Sequence, residues 1–407
     1  METKEYRLKQ LTEKITKGTT PSNIGESFTE EGIMYFRSEL IGKSKYIDKS
    51  DGLLFISNET HEKLKRSQIQ KNDLLFSMAG IYLGKISLVG DEDFPANTNQ
   101  AVAIIRFNSK EIDLEYVYYY MTQRWYNIYI NSLTAQAAQP NINLEQIGNL
   151  KLNLPPLPTQ QKIASILSAY DNLIQNYKKQ IEALQTAASQ LYKEWFVRFR
   201  FPGWQNAKFE NGIPEGWKVE RLSNYCKITD GTHDTPLQVE EGIPLVTGKA
   251  VKKGEIDFSI PYNISIEDHE KIKKRSGLKT GDILFSNIGT VGNSCLVEYD
   301  REFSVKNMII FKPETIEKSM YLYYLITSDS CQQLFSAQTN GSTQQFLGLD
   351  FMRNFKILVP ENSIISEFGK KQEMIYAKIR NLRKQITNLT QQRDLLLPRL
   401  MSGKLEV

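Results

Sequence analysis

Cysteine and histidine are scarce in this sequence, which has three of each in 407 residues. No cysteine belongs to a CxxC pair or lies at zinc-ligand spacing from a histidine, and the histidines form no HExxH motif. These absences exclude a disulfide framework and the common sequence types of zinc site. We therefore expect buried thiols and no bound metal.

Long apolar runs are also missing. No stretch reaches the roughly 18 apolar residues of a membrane span, and the opening METKEYRLKQLTEKI lacks the apolar segment of a signal peptide. We expect a cytoplasmic protein that does not contact a membrane. The formal charge of +4 is only mildly basic, so any polyanionic partner has to be argued from the distribution of charge.

Catalytic motifs are absent as well. The segment Gly42-Lys43-Ser44 resembles the end of a phosphate-binding P-loop, but Arg37 stands where its first glycine would be. The segment LPPL at 154–157 lacks the polar and aromatic residues of the amino-methyltransferase motif. We expect no intrinsic catalysis.

What the sequence does contain is an internal repeat. The segment KQI at 179–181 recurs 205 residues later at 384–386, and the same shift relates the tyrosine pair 118–119 to the pair 323–324. Further upstream, NDLLFSMAG at 72–80 matches GDILFSNIG at 281–289. Each half therefore holds a module of roughly 150 residues followed by a helix of about 40.

The modules are predicted to be β-rich with some helix. Short runs of Val, Ile and Phe between Gly, Asn and Asp turns predict strands, for example at 102–107 and 308–311. Tyrosine-rich segments at 114–132 and 319–336 predict amphipathic helices. The fold class is therefore α+β, with two β-rich globular domains joined by two long helices. The predicted boundaries are 1–157 for the first domain, 158–197 for the central helix, 198–212 for a linker, 213–361 for the second domain and 362–403 for the C-terminal helix.

The two helices carry matching apolar seams. In the first, apolar residues alternate at spacings of four and three, which is a heptad pattern, and the second copy repeats it with polar breaks at Gln372 and Arg393. One such stripe could pack on the core of its own module, but two complementary stripes favour a coiled-coil pair. The residues predicted to form the helix pair are Ile163, Leu167, Tyr170, Ile174, Tyr177, Ile181, Leu184, Leu191, Ile375, Ile379, Leu382, Ile386, Leu389 and Leu396.

Chain connectivity predicts the orientation of this pair. The linker 198–212 is short, so the second module should lie at the far end of the first helix, and the second helix must then run back. The result is an antiparallel pair with a pseudo-two-fold axis. A helix of about 36 residues is roughly 54 Å long, which corresponds to at most about 16 base pairs of B-DNA. Two similar modules at a fixed separation imply a two-part target with an unread gap.

Candidate DNA contacts recur at matching places in both modules. Basic clusters could bind phosphates, although they could equally be solvated helix faces. Loop amides, hydroxyls and cations could read base edges, although each could be an ordinary turn residue. The candidates in the first module are Thr19, Thr20, Lys63, Lys65, Arg66, Ser77, Met78, Asn99, Gln100, Gln136 and Gln139. Those in the second module are Thr232, His233, Lys271, Lys273, Lys274, Arg275, Ser286, Asn287, Lys306, Asn307, Asn340, Gln344 and Gln345.

Several segments together resemble the specificity subunit of type I restriction-modification systems over essentially the full length. They are DLLFSMAG and DILFSNIG after a basic stretch, NLKLNLPPLPTQQKIASIL at 149–167, LYKEWFVRFRFPG at 191–203 and LLLPRLMSGKL at 395–405. The chain departs from the usual pattern at 359–362, where VPEN replaces the double-proline entry to the second helix.

The resemblance implies two target-recognition domains, each reading one half of a bipartite site in double-stranded DNA. It also implies that the helices dock two methylation subunits and that restriction subunits can join the complex. Methylation of adenine from S-adenosylmethionine and ATP-dependent cleavage would belong to these partners, which would bind S-adenosylmethionine, ATP and Mg, so this chain would hold no cofactor. Apolar residues off the seam are compatible with such docking, namely Ile166, Leu173, Met374, Leu395 and Leu397.

Two other interpretations stay open from the sequence alone. One is a coiled-coil scaffold that binds proteins rather than DNA. The other is the recognition part of a fused restriction and methylation enzyme, which the duplication disfavours because it accounts for the whole chain.

Overall fold

The structure is a computed structural model that describes residues 2–49, 52–134, 140–252, 254–298, 301–339 and 346–407. The chain divides into two compact units. Unit 1 comprises Met1–Tyr177 and Lys384–Val407, and unit 2 comprises Lys178–Arg383. Each unit therefore contains one β-rich module and one segment from each of two long helices.

Module 1 is the β-rich part of unit 1. Its four-stranded sheet has the order β2-β8-β5-β6, its three-stranded sheet has the order β4-β3-β7, and β1 pairs with β9. The strands are β1 Lys4–Arg7, β2 Thr12–Lys17, β3 Ile33–Phe36, β4 Leu54–Ile56, β5 Leu74–Ser77, β6 Ile86–Leu88, β7 Ala96–Thr98, β8 Val102–Phe107 and β9 Lys151–Leu154. The helices are α1 Asn58–Lys63, α2 Leu114–Met121, α3 Arg124–Ser132 and α4 Leu144–Gly148, and α5 Leu157–Tyr192 follows the module.

Module 2, the β-rich part of unit 2, has the same topology. Its sheets have the orders β13-β21-β18-β19, β17-β14-β20 and β12-β22, with two additional hairpins, β10-β11 and β15-β16. The strands are β10 Phe209–Glu210, β11 Ile213–Pro214, β12 Lys218–Arg221, β13 Lys227–Asp230, β14 Ile243–Val246, β15 Val251–Lys252, β16 Glu255–Ile256, β17 Tyr262–Ile264, β18 Ile283–Ser286, β19 Ser294–Leu296, β20 Ser304–Val305, β21 Met308–Lys312 and β22 Lys356–Val359. The helices are α6 Leu222–Tyr225, α7 Ile266–Ser276, α8 Ile316–Ile326, α9 Asp329–Thr339, α10 Leu349–Asn354 and α11 Asn362–Met401.

The matching strand orders extend to strand direction. The pair β3–β7 is parallel in module 1, as is β14–β20 in module 2, whereas the pairs of both four-stranded sheets are antiparallel. The central strands β5 and β18 are buried along their whole length because each lies between two neighbours and is covered on both faces. The predicted α+β class and internal repeat are confirmed.

The tyrosine-rich helices cover these sheets. Asp113 caps α2 by accepting a hydrogen bond from the Tyr116 backbone amide, and Thr315 caps α8 in the same way through Lys318. The buried faces of α2 and α8 join the core clusters of modules 1 and 2, respectively. Helix α2 contributes four tyrosines to its cluster, whereas α8 contributes Tyr321 and Tyr324 beside four aliphatic residues.

In unit 1, the first turns of α5 pack against the last turns of α11. Ile163 and Leu167 share a buried cluster with Leu400, and Arg393 forms an ion pair of 2.5 Å with Asp171. Residue numbers along α5 therefore increase in the direction in which those along α11 decrease. The two segments are antiparallel within this unit, as predicted.

In unit 2, the last turns of α5 pack against the first turns of α11. Gln372 donates to the carbonyl oxygen of Ala188 at 2.9 Å, and the rings of Phe368 and Phe196 lie 4.8 Å apart. These segments are also antiparallel. The two polar breaks that the seam pattern treated as irregularities, Gln372 and Arg393, are thus paired with the opposite helix.

The residues predicted to line the helix pair are inaccessible to different degrees. Fully buried positions are Ile163, Leu167, Ile174, Ile181, Ile379 and Leu382. Half-buried positions are Tyr170, Tyr177, Leu184, Leu191, Ile375, Ile386, Leu389 and Leu396. A π-helical turn at Lys193–Val197 continues α5. The domain boundaries given above stay predictions.

Candidate nucleic-acid interface

Three loop segments of module 1 converge at one end of the four-stranded sheet. The backbone amide of Thr19 donates to the Thr98 carbonyl at 3.0 Å. The amide of Met78 donates to Ala101 at 2.8 Å, and the carbonyl of Met78 accepts from Ile142 at 3.0 Å. The turns after β2, β5 and β7 are therefore adjacent, together with the segment before α4.

Module 2 brings the equivalent segments together. The amide of Thr232 donates to Val305 at 2.9 Å, and the Thr232 carbonyl accepts from the amide of Asn307 at 3.0 Å. The Asn287 carbonyl accepts from Leu347 at 2.9 Å. The predicted reading loops thus form one surface in each module, which we call the reading end.

A side-chain hydrogen bond fastens each reading end at the same place. In module 1 the hydroxyl of Thr20 donates to the side-chain oxygen of Gln100. In module 2 the ring Nδ1 of His233 lies 3.0 Å from the side-chain oxygen of Asn307. Each bond joins the loop after β2 or β13 to the turn before β8 or β21, the strand that pairs with it in the four-stranded sheet. All four residues were predicted as DNA contacts.

Some predicted contacts are not available to DNA in this structure. Ser77 and Ser286 end the buried strands β5 and β18, and Met78, Thr232 and Asn287 are also buried. The Asn287 amide instead donates to the Leu347 carbonyl at 3.0 Å. In this structure these side chains lie inside the module rather than on its surface, and their expected role in base reading stays a prediction.

Asn99 and Lys306 are half-buried in the turns before β8 and β21. The side-chain oxygen of Asn99 accepts from the Ala101 amide at 3.2 Å, as in an Asx turn. The ammonium of Lys306 donates to the hydroxyl of Thr235. Gln136, Gln139, Asn340, Gln344 and Gln345 lie outside the described residues.

The basic clusters are partly neutralised within each module. Lys63 contacts Glu26 at 2.7 Å and Glu59 at 2.6 Å, and these two acceptors raise its pKa above the usual range. In module 2, acidic partners also lie within ion-pair distance of Lys271, Lys273 and Arg275.

Three other cations of these clusters are not neutralised by an acidic neighbour among the described residues. Lys65, Arg66 and Lys274 are exposed, and over the described part of the chain no ion pair or hydrogen bond of their side chains is found. They are the cluster members best placed to contact phosphate.

Two charged residues at the reading ends were not among the DNA contacts predicted from the sequence. Lys17 ends β2 and Asp230 ends β13, directly before the matching Gly-Thr pairs. The signal was visible in the repeat, because these aligned positions carry opposite charges.

The three cysteines have the properties of structural residues. Burial raises the pKa of the Cys226 and Cys295 thiols to about 12 and also raises that of Cys331. Such thiols are poor nucleophiles and poor metal ligands. Within the described ranges, no group of His, Cys, Asp and Glu side chains could hold a metal ion. Every helix of that part of the chain is too short or too polar to cross a bilayer.

Comparison with known proteins identifies relatives along nearly the whole chain. It is 25% identical to the type I restriction enzyme MjaIX specificity subunit of Methanocaldococcus jannaschii, an alignment covering 99% of this chain and 94% of that protein. The MjaVIII specificity subunit of the same organism is 26% identical over 83% of this chain and 80% of its own length.

A solved structure shows the same fold. The crystal structure of the S subunit of a type I restriction-modification system from M. genitalium aligns with a TM-score of 0.57 at 17% identity, covering 98% of this chain and 96% of that one. The family described as the type I restriction modification DNA specificity domain matches residues 1–186 and again residues 214–397. The chain therefore belongs to the type I restriction modification DNA specificity family, whose domain it carries twice.

Proposed function

We propose that this chain is the DNA-recognition subunit of a type I restriction-modification complex, in which each module reads one half of a bipartite double-stranded target. The observation that carries the proposal is the recurrence of one reading end on two modules of the same topology. The loop residues at the two ends differ, as expected for modules that read different sequences. The non-specific gap would be set by the helical spacer, as a two-part reader requires.

Phosphate contacts would come from cations beside the reading ends. Lys65 and Arg66 follow α1 in module 1, and Lys274 lies in the last turn of α7 in module 2. Because α1 is tied to β7 through the contact between the His61 ring and the Asn97 side chain, these cations are held at a fixed place in the module. Such contacts position a protein on DNA without reading its sequence.

Assembly with partners would use the helix surfaces away from the pair. Ile166, Leu173 and Leu395 are exposed in unit 1, and Met374 is exposed in unit 2, whereas Leu397 is half-buried against the core. Exposed apolar residues on a helix are suited to a protein interface. We propose that these surfaces dock two methylation subunits and that restriction subunits join the complex.

The chemistry is assigned to those partners. The subunit itself would be non-catalytic and without a cofactor, and it would act in the cytoplasm, where its DNA target is found. The methylation subunits would transfer the methyl group of S-adenosylmethionine to adenine, and the restriction subunits would use ATP and Mg.

A salt titration of duplex binding tests DNA recognition. The affinity of the complex for its DNA should fall with salt, and replacing Lys65 and Arg66 with Gln should lower the slope by about 0.9 for each phosphate that is no longer neutralised. Lys63→Gln is the matched control, because Lys63 is already paired with two carboxylates. It should change the slope less. Binding that does not depend on salt would instead favour a protein-binding scaffold.

A further inference from the structure

Lys17 and Asp230 occupy the same position in the two reading ends. Lys17 is the last residue of β2, and the amide of the next residue, Gly18, donates to Val102 at 3.2 Å. Asp230 is the last residue of β13, and the next amide, that of Gly231, donates to Met308 at 2.9 Å. One backbone geometry therefore presents a cation in module 1 and an anion in module 2.

In module 2 the carboxylate of Asp230 is bound by two neighbouring side chains. Arg275 contacts one oxygen of Asp230 at 2.6 Å, and the ring Nε2 of His233 lies 2.8 Å from the other. Burial alone would raise the pKa of Asp230, but the hydrogen bonds from Arg275 and His233 outweigh burial and lower it. Asp230 is therefore charged, and each of its oxygens already has a partner in the module.

The same contacts fix the histidine. The ring of His233 is held between Asp230 on one nitrogen and Asn307 on the other, yet 61% of its side chain is exposed. Because both ring nitrogens already have partners, the exposed part of the ring that a base could meet is its carbon edge and its face. The fixed orientation means that binding restricts this side chain little further. Module 2 therefore presents an imidazole where the strand-end charge is hidden.

In module 1 the charge at the strand end, that of Lys17, has no partner among the described residues. Lys17 is half-buried and lines a cleft together with Met78, Gln100, Asn141 and Asn143. Among the described residues, no ion pair or hydrogen bond occupies its ammonium. A lysine ammonium has three donor hydrogens and no acceptor.

We infer that this position determines specificity: Lys17 donates to the acceptor edge of guanine in one half-site, whereas Asp230 is a positioning residue that holds His233 against a base of the other. The inference rests on the proposed function and refines it. Guanine presents the acceptors N7 and O6 in the major groove, and lysine is one of its usual partners. A lysine that contacted only phosphate would strengthen binding to all sequences equally.

Selection from a duplex library randomised in both half-sites tests the inference. The full-length chain, assembled with its methylation subunits, is compared with its Lys17→Met and Lys17→Arg variants. Lys17→Met should lower the preference for a G·C pair at one position of one half-site by about 5- to 150-fold. Lys17→Arg should retain that preference, and the other half-site should be unchanged.

Asp230→Asn supplies the complementary arm. It should relax one position of the opposite half-site, and His233→Ala should relax the same position at least as much. Uniform weakening by Lys17→Met, or unchanged preferences in the Lys17 and Asp230 variants, would overturn the inference and leave the proposed function intact. If the unaltered complex selected no sequence from the library, both the proposed function and the inference would be contradicted.

Discussion

The two units anchor the same pair of helices with different chemistry. In unit 2, rings form the junction between module and helices, with Phe196 lying 4.8 Å from both Tyr321 and Phe368. The positions of unit 1 that correspond to Trp195, Phe196 and Phe368 by the 205-residue shift hold aliphatic side chains. These corresponding residues are Leu400, Met401 and Ile163.

Unit 1 adds polar contacts that unit 2 lacks at the matching positions. Tyr119 donates to one oxygen of Asp171 at 2.5 Å, and Arg393 contacts the other. The corresponding residues of unit 2 are Tyr324, Tyr376 and Ala188, which carry no charge. Burial alone would lower the pKa of Arg393, but Asp171 outweighs it and raises the pKa, so the guanidinium stays charged.

The difference teaches that the repeat fixes geometry rather than chemistry. An aromatic junction is stabilised by apolar area and ring contacts, whereas a buried ion pair contributes little net stability and specifies which partner it accepts. We therefore expect mutations in unit 2 to act mainly on stability. Mutations at Asp171 or Arg393 should also act on the pairing of the helices.

The largest effect is expected from Phe368→Ala, which removes the ring at the centre of the aromatic junction. Phe368 is fully buried, and the cavity should lower the free energy of unfolding of unit 2 by about 3–5 kcal/mol. Urea unfolding followed by hydrogen exchange of unit 2 peptides measures this decrease. The control Leu395→Ala truncates an exposed residue and should change stability by less than about 0.5 kcal/mol.

Arg393→Met should have an intermediate effect. Among the described residues, it leaves the buried carboxylate of Asp171 with only the Tyr119 hydroxyl as a partner. This should cost about 2–3 kcal/mol given the partial exposure of the arginine. Adding Asp171→Asn should recover part of the stability, because the unpaired charge is removed while a hydrogen bond to Tyr119 is kept. Additive effects in this double-mutant cycle would show that the two residues are not coupled.

Gln372→Leu should have the smallest effect and the opposite sign. Gln372 is fully buried, its side-chain oxygen has no hydrogen-bond partner among the described residues, and the matching residue of the first helix is Leu167. Removing an unsatisfied buried oxygen should stabilise unit 2 by about 1 kcal/mol. Thermal unfolding of the variant measures the change, and a lower melting temperature would mean that the bond to Ala188 contributes more than the unsatisfied oxygen costs.

Much of the fold could be predicted because it is written in periodicity. The heptad seam predicted the helix pair, since residues such as Ile163 and Leu382 recur at spacings that only one helix face can satisfy. The roles of Gln372 and Arg393 could not be predicted, because a polar residue in a seam has meaning only once its partner on the other helix is known. The aligned loops predicted which segments of each module form its reading end.

Less of the candidate site could be predicted. Lys63 was predicted as a DNA contact, but its partner Glu26 lies 37 residues away in the sequence and is brought close only by folding. Met78 follows the buried strand β5 and Ser286 ends the buried strand β18, and a turn pattern does not show which side chains point inward. Lys17 was overlooked because base-reading candidates were expected in loops, whereas Lys17 and Asp230 are the last residues of strands.

The central claim is that two modules of one fold read two independent halves of one target. Replacing residues 1–157 with the matching module of a family member, expressing the chimera with its partner subunits, and sequencing the methylated DNA of the cells tests this directly. The account predicts that one half of the methylated site changes while the other half and the gap length remain. Simultaneous change in both halves would contradict it.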